Sequence, residues 1–271
     1  MIREMRLRNY SERTIASYVA RLAHLSKFYN SSPDQLSLDQ VKDYAYYLLE
    51  EKKVSNSTIN QLISAWKILQ VDILGHNWEH FRLKRPRRQQ KLPEVLSQDE
   101  TKMLVDSPHN LKHRTLLQLT YICGLRRSEV LHLKLGDIDA ARKVVRVVHG
   151  KGNKSREIPI TLPFIEQLRT YYRLYRPKTY LFEGIFPGKP YSTMSFYNVI
   201  KKAALLCGLK KKVYPHILRH CFATHLLERG LNLKRVQLLL GHNAMKTTSV
   251  YLHLAAPSEG EMPNLLDTPL D

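Results

Sequence analysis

Residues 214–253, YPHILRHCFATHLLERGLNLKRVQLLLGHNAMKTTSVYLH, constrain this chain more than any other stretch. Their apolar residues recur at helical spacing, so the segment must fold as helices packed against a core. Gly230 and Gly241 punctuate it, and Asn232 is placed to cap the second helix. A last helix is expected to begin near Thr247 or Thr248 and to carry Tyr251. Set into these apolar turns are His216, Arg219, His242 and Tyr251. Polar groups held against a core need partners, and four of them in forty residues imply a common site.

The N-terminal part reads as a small helical bundle. Ser11 caps a helix over 11–30 with Ile15, Tyr18, Val19, Leu22, Leu25 and Phe28 on one stripe. Ser37 and Gln40 form a capping box for a second helix. A third starts near Ser57 and buries Ile59, Leu62, Ile63, Trp66 and Leu69; a short fourth piece covers 77–81. Arg13, Arg21, Lys27, Lys52, Lys53 and Lys67 form either a solvated face or a set of phosphate contacts. Residues 82–93, RLKRPRRQQKLP, read as a basic linker in which Lys84, Arg85, Arg87 and Arg88 are candidate DNA contacts.

A second domain opens at Ser97, whose capping box closes with Glu100. Helices are expected at 97–106 and 111–124. Gly124 ends the latter, leaving Arg126 in a tight corner just before Ser128 and Glu129 start another helix. The period then switches to two. KVVRVVHGKGNKSREIPI predicts strands at 144–149 and 156–160 around a loop that holds Lys151 and Lys154. It lacks the GxxxxGK[ST] pattern of a phosphate-binding P-loop. Helices follow at 162–175 and 192–207, with a Pro/Gly connection between them. Residues 257–271 are acidic and proline-rich and read as a tail. The expected fold is mainly α: a helical domain over 1–81, the linker 82–93, and a mixed α+β domain over 94–256 with a small antiparallel hairpin.

Composition enters through charge. The formal net charge is +19. No fold needs such an excess, and self-repulsion makes it a cost, so an extended polyanion is the implied partner and nucleic acid the first candidate. No stretch approaches ~18 continuous apolar residues, and MIREMRLRNY has no apolar signal core. Cys123, Cys207 and Cys221 are widely spaced and odd in number, the pattern of reduced, buried thiols in an intracellular protein. His216 and His220 are four apart but lack an Asp, Glu or Cys at matching spacing, so no metal site is assigned.

A phosphodiester resists attack because charge builds on its oxygens. Cleaving it takes cationic donors, a nucleophile and an acid for the leaving oxygen. Arg126 and Arg219 suit the first task, since a guanidinium fork bonds two phosphate oxygens and stays charged. His216 and His242 can donate to the same oxygens or take a proton. Lys151 can protonate a leaving 5′-hydroxyl, and Tyr251 can attack. A covalent route of this kind needs no divalent metal, no cofactor and no ATP.

GLRRSE (124–129), GKGNKSREIPI (150–160), HILRHCFATHLLERG (216–230), LLGH (239–242) and TTSVYLH (247–253) together resemble the tyrosine recombinases of the phage-integrase and Xer type. The match spans the catalytic half; the N-terminal bundle is similar, more loosely, to that family's SAM-like core-binding domain. The resemblance implies a site-specific recombinase acting through a 3′-phosphotyrosyl intermediate. Arg126 and Arg219 would clamp the phosphate, Lys151 would be the hairpin lysine, His216 and His242 the site histidines, and Tyr251 the nucleophile. Glu129 would support Arg126. It further implies two domains clamping duplex DNA, a dimer on each site and a homotetramer on two, strand exchange through a Holliday junction, and a place in the cytoplasm at the nucleoid. The family's C-terminal helix, which docks on a neighbouring subunit, has no clear counterpart in the tail. The competing readings are a type IB topoisomerase-like relaxing enzyme and a non-catalytic DNA-binding regulator.

Overall fold

A computed structural model describes residues 1–86, 94–148, 155–242 and 244–255. Lys151, Lys154, Arg87, Arg88 and the tail 257–271 lie outside the described residues. The chain divides into two compact units, Met1–Gln90 and Lys91–Asp271.

In the first unit, α1 (Ile2–Leu7) precedes α2 (Glu12–Tyr29), α3 (Leu38–Glu50), α4 (Asn56–Lys67) and the short α5 (Trp78–Phe81). Side-chain caps set most of the starts. Ser11 accepts from the Thr14 amide, and Ser37 with Gln40 closes a full capping box. Ser55 caps α4, which therefore starts ahead of the expected Ser57. After Lys67 the chain widens into a π-helical turn, Ile68–Ile73. Leu22, Leu25, Val41, Tyr44, Ile59, Leu62, Ile63 and Trp66 form the core.

Three expectations are corrected here. Helix α1 was not foreseen; it forms because Met5 is buried against Ile15 and Ile68, a tertiary contact with no local signature. Phe28, placed on the buried stripe, is 46% exposed and lies among the rings of Tyr29, Tyr44 and Tyr47 instead. The expected linker starts too early. Leu83 is buried in the bundle core, and Arg85 donates to the Asn60 carbonyl and side chain (3.2 and 3.0 Å) and to Ser64 Oγ (3.1 Å).

The second unit contains α6 (Gln98–Asp106), α7 (Leu111–Ile122), α8 (Arg127–Leu131), strands β1 (Ile138–Asp139), β2 (Val144–Val147) and β3 (Arg156–Pro159), then α9 (Leu162–Tyr175), α10 (Thr193–Leu206), α11 (Pro215–Glu228), α12 (Leu233–Leu240) and α13 (Met245–Ser249). The strands form an antiparallel sheet in the order β1-β2-β3, with Val145 opposite Ile158 and Val147 opposite Arg156. Val145, Val147 and Ile158 turn inward, as period-two patterning requires. Strand β1 was not expected; at two residues it is too short to show a period.

Helix α11 runs through the middle of this unit. Ile217, Leu218, Cys221, Phe222 and Ala223 are all buried, so it is enclosed rather than amphipathic. Its approach to α7 depends on Gly124, which has φ +53° and lies so close to the Phe222 ring that a Cβ would come within 2.3 Å of it. Glycine here satisfies both the left-handed turn and the contact.

Candidate active site

Four of the sequence-selected residues converge on one cleft. Arg126, His216, Arg219 and His242 line a cavity of about 310 Å³, together with Gly241, Ala244 and Thr247. They reach it from three places: the corner between α7 and α8, the first half of α11, and the turn after α12. The αL glycines at 124 and 241 make the two turns sharp enough.

Arg219 is 1% exposed. It donates through Nη1 to the Gly124 carbonyl and through Nη2 to the Leu240 carbonyl, both at 2.7 Å, so it fastens both turns to α11. Burial and the nearby Arg126 draw its pKa down to about 9, which leaves it charged at neutral pH. Nη2 also lies 3.0 Å from His242 Nε2. A guanidinium only donates, so this Nε2 accepts and the ring proton sits on Nδ1, facing Thr248 Oγ1 at 2.9 Å. Burial, then Arg219 and Arg126, bring the His242 pKa to about 4, consistent with a neutral ring.

Arg126 is held by Glu129. The carboxylate accepts from Arg126 Nη1 at 2.6 Å and, as the N3 residue of α8, from the Arg126 amide at 2.7 Å. Arg156, which sequence reasoning did not select, supplies a bidentate partner: Nη1 to Oε1 at 3.0 Å and Nη2 to Oε2 at 2.7 Å. Burial alone pushes the Glu129 carboxyl up. The bonds and charge of Arg156, joined by the bonds from Arg126, outweigh it and hold the pKa near 2.

Tyr251 is 4% exposed, and it sits in a 3₁₀ turn, Val250–His253, rather than in the helix expected from the sequence. That helix, α13, starts at Met245, two residues before Thr247, and ends at Ser249. The Tyr251 ring stacks on His242 with centroids 6.5 Å apart and planes within 10°. Its hydroxyl pairs with His220 Nδ1 at 3.0 Å. Burial raises its pKa, opposed by Arg219 and Arg126. His220 is the second residue that sequence reasoning missed as a participant. The described partner of the Tyr251 hydroxyl is thus His220 rather than His216 or His242, and burial, then His216, bring the His220 pKa to about 4. His216 stacks edge-to-face on His220 at 4.8 Å and faces the cleft. The signal for His220 was present as the i, i+4 relation to His216, which was weighed only as a metal pair.

Among the described residues no three of His, Cys, Asp and Glu gather as a metal site, and no helix is long and apolar enough to cross a membrane. Cys123 and Cys221 are buried and Cys207 partly so; all three are free thiols.

Known proteins are similar to this chain in sequence and in fold. Residues 91–257 match the phage integrase family, and residues 1–80 match the phage integrase N-terminal SAM-like domain. The chain is 33% identical over 261 residues to a tyrosine recombinase of Pseudothermotoga lettingae, covering 92% of this chain and 90% of that one. It is 39% identical over 193 residues to the tyrosine recombinase XerD of Staphylococcus aureus, covering 67% and 65%. The Tn1549 transposon integrase, solved in complex with transposon right end DNA, shares the fold with a TM-score of 0.73 at 20% identity over 96% of this chain and 94% of that one.

Proposed function

The chain belongs to the phage integrase family and is a tyrosine recombinase, an enzyme that cleaves and rejoins DNA, and from this premise we propose that it performs site-specific recombination through a 3′-phosphotyrosyl intermediate on Tyr251. One observation carries the reading: two buried or half-buried guanidiniums, Arg126 and Arg219, share a cleft with His216 and His242, and a tyrosine ring is stacked on the last of these.

In this mechanism the scissile phosphate enters the cleft. Arg126 and Arg219 bond its non-bridging oxygens and strengthen their hold as charge builds there. The Tyr251 oxygen forms the new bond to phosphorus, and its proton passes to a neutral imidazole, with His220 Nδ1 nearest at 3.0 Å. The 5′-oxygen leaves and takes a proton, a task we assign to Lys151. The phosphodiester energy is kept in the tyrosyl ester, so the reverse attack by a 5′-hydroxyl reseals a strand without ATP. His242 donates to the phosphate only after its Nε2 is released from Arg219 and protonated. Electrophilic assistance comes from guanidinium groups, so neither a metal nor a cofactor is part of the scheme.

The net charge of +19 supports duplex DNA as the partner, through phosphate contacts in both units. We extend the proposal to the Met1–Gln90 unit as a core-binding domain, to a dimer on each site and a homotetramer on two, and to a cytoplasmic, nucleoid-bound location.

The decisive experiment is cleavage of a nicked duplex whose short downstream strand diffuses away and traps the covalent complex. Tyr251→Phe is expected to give no SDS-resistant adduct while binding duplex as the wild type does. An adduct in Tyr251→Phe would show that another residue is the nucleophile.

A further inference from the structure

Arg156 is accounted for neither by the cleft nor by the sheet. It opens β3, opposite Val147, yet its side chain leaves the sheet and is 7% exposed. Its described side-chain bonds go to the cleft's supports. Besides the two to Glu129, Nε donates to the Leu239 carbonyl at 2.7 Å. Gly241 packs over it so closely that a Cβ there would lie 3.1 Å from Arg156 Cδ and 3.3 Å from Nη1. The Gly241 carbonyl in turn faces Arg126 Nη2 at 3.5 Å. Arg156 thus joins the root of β3, the first turn of α8 and the end of α12, and it does not line the cleft itself.

Charge explains why such a residue is needed. A buried carboxylate facing Arg126 alone would neutralise it and compete with an incoming phosphate. Arg156 occupies one acceptor site on each oxygen of Glu129, while Arg126 takes one on Oε1 with its side chain and one on Oε2 with its amide. The carboxylate is then fully bonded to Arg126 and Arg156, with the Arg219 guanidinium a further 3.8 Å neighbour that makes no hydrogen bond to it. Arg126 keeps a fixed aim and an unspent attraction for an anion.

We propose that Arg156 is a positioning residue for DNA cleavage: it sets the aim and free charge of Arg126 through Glu129. The inference rests on the reading that the cleft takes the scissile phosphate. Lysine cannot replace the fork, because one ammonium does not span both carboxylate oxygens and the Leu239 carbonyl.

The test uses the full chain at saturating concentration in single-turnover cleavage of the nicked duplex. It compares an ordinary scissile phosphate with a methylphosphonate, which carries no charge to neutralise. Arg156→Met is expected to cleave roughly tenfold to a hundredfold more slowly, the scale on which partners of an oriented ligand act, with duplex affinity unchanged. Its deficit is expected to shrink on the methylphosphonate, and so is that of Arg126→Ala. The double variant Arg126→Ala/Arg156→Met is expected to be no slower than Arg126→Ala, because both act through one guanidinium. Deficits that multiply in the double variant, or that are equal on charged and neutral substrates, overturn the proposal. If Arg156→Met does not fold, judged by its melting curve, Arg156→Lys takes its place in the same cycle with the same outcomes. Wild-type cleavage by Arg126→Ala sinks the cleft reading itself. An inactive Arg126→Ala beside a wild-type rate in the Arg156 variant sinks this inference alone.

Discussion

The two units bury different things. The core of the N-terminal unit is made of aliphatic side chains with Tyr44 and Trp66, and its polar signals sit at helix ends, where Ser11, Ser37 and Ser55 satisfy free amides. The C-terminal unit has a larger apolar core but also buries Arg219, Glu129 and Arg156 at its edge. Desolvating such groups costs several kcal/mol each before their bonds offset it. An apolar replacement would serve folding as well, so the C-terminal unit is built around a site and the N-terminal unit around a shape.

The largest test of this contrast is Arg219→Met. Cleavage should fall by about 10²–10³, the effect of removing one donor from a developing oxyanion, read as the single-turnover rate. Arg219→Met at wild-type rate would reduce this residue to a strut for the Gly124 and Leu240 carbonyls.

An intermediate effect is expected from acid. His220 and His242 have pKa values near 4, below the ordinary imidazole value of 6.5. The unfolded chain therefore takes up protons below pH 6.5 that the folded chain refuses until about pH 4, so stability falls as pH drops through that window. His220→Gln removes one such group while keeping an acceptor for Tyr251. It should flatten the fall by up to about 1.4 kcal/mol per pH unit. Both tryptophans, Trp66 and Trp78, lie in the N-terminal unit, so a far-UV transition that moves with acid ahead of tryptophan fluorescence locates the effect. Coincident transitions with an unchanged slope in His220→Gln would refute it.

The smallest effect is at a helix end. Ser37→Ala removes the half of a capping box in which Ser37 Oγ accepts from the Gln40 amide, while the residue-37 amide still donates to Gln40 Oε1; it should cost about 1 kcal/mol of stability, measured by urea melting, with the saturated cleavage rate unchanged. A changed rate would mean that the N-terminal unit takes part in the chemistry.

What was legible in the sequence was local. Ser11, Ser37, Ser97 and Asn232 announce their helices because a cap bonds within three residues. Gly124 and Gly241 mark turns that only a left-handed residue makes. The convergence of Arg126, His216, Arg219 and His242 was reached through the order of their motifs, since no spacing along the chain encodes a distance across a cleft. Non-local contacts stayed hidden. Glu129 meets Arg156 across 27 residues and Tyr251 meets His220 across 31. Periodicity marked Phe28 for burial because it continued a stripe, but the exposure of a helix's last turn depends on what packs there, here a cluster of tyrosines.

The shared carboxylate has one more consequence. Three guanidiniums, of Arg126, Arg156 and Arg219, lie within 4 Å of Glu129, so one negative charge is set against three positive ones and these groups carry a surplus of two. Their mutual repulsion counts against the folded state: burial first, and then Arg126, lower the Arg219 pKa to about 9. An anion seated in the cleft relieves that repulsion. Ligand affinity and fold stability are therefore one linked quantity at this site: under the proposed function, the substrate's phosphate is the counterion that the protein's own interior calls for.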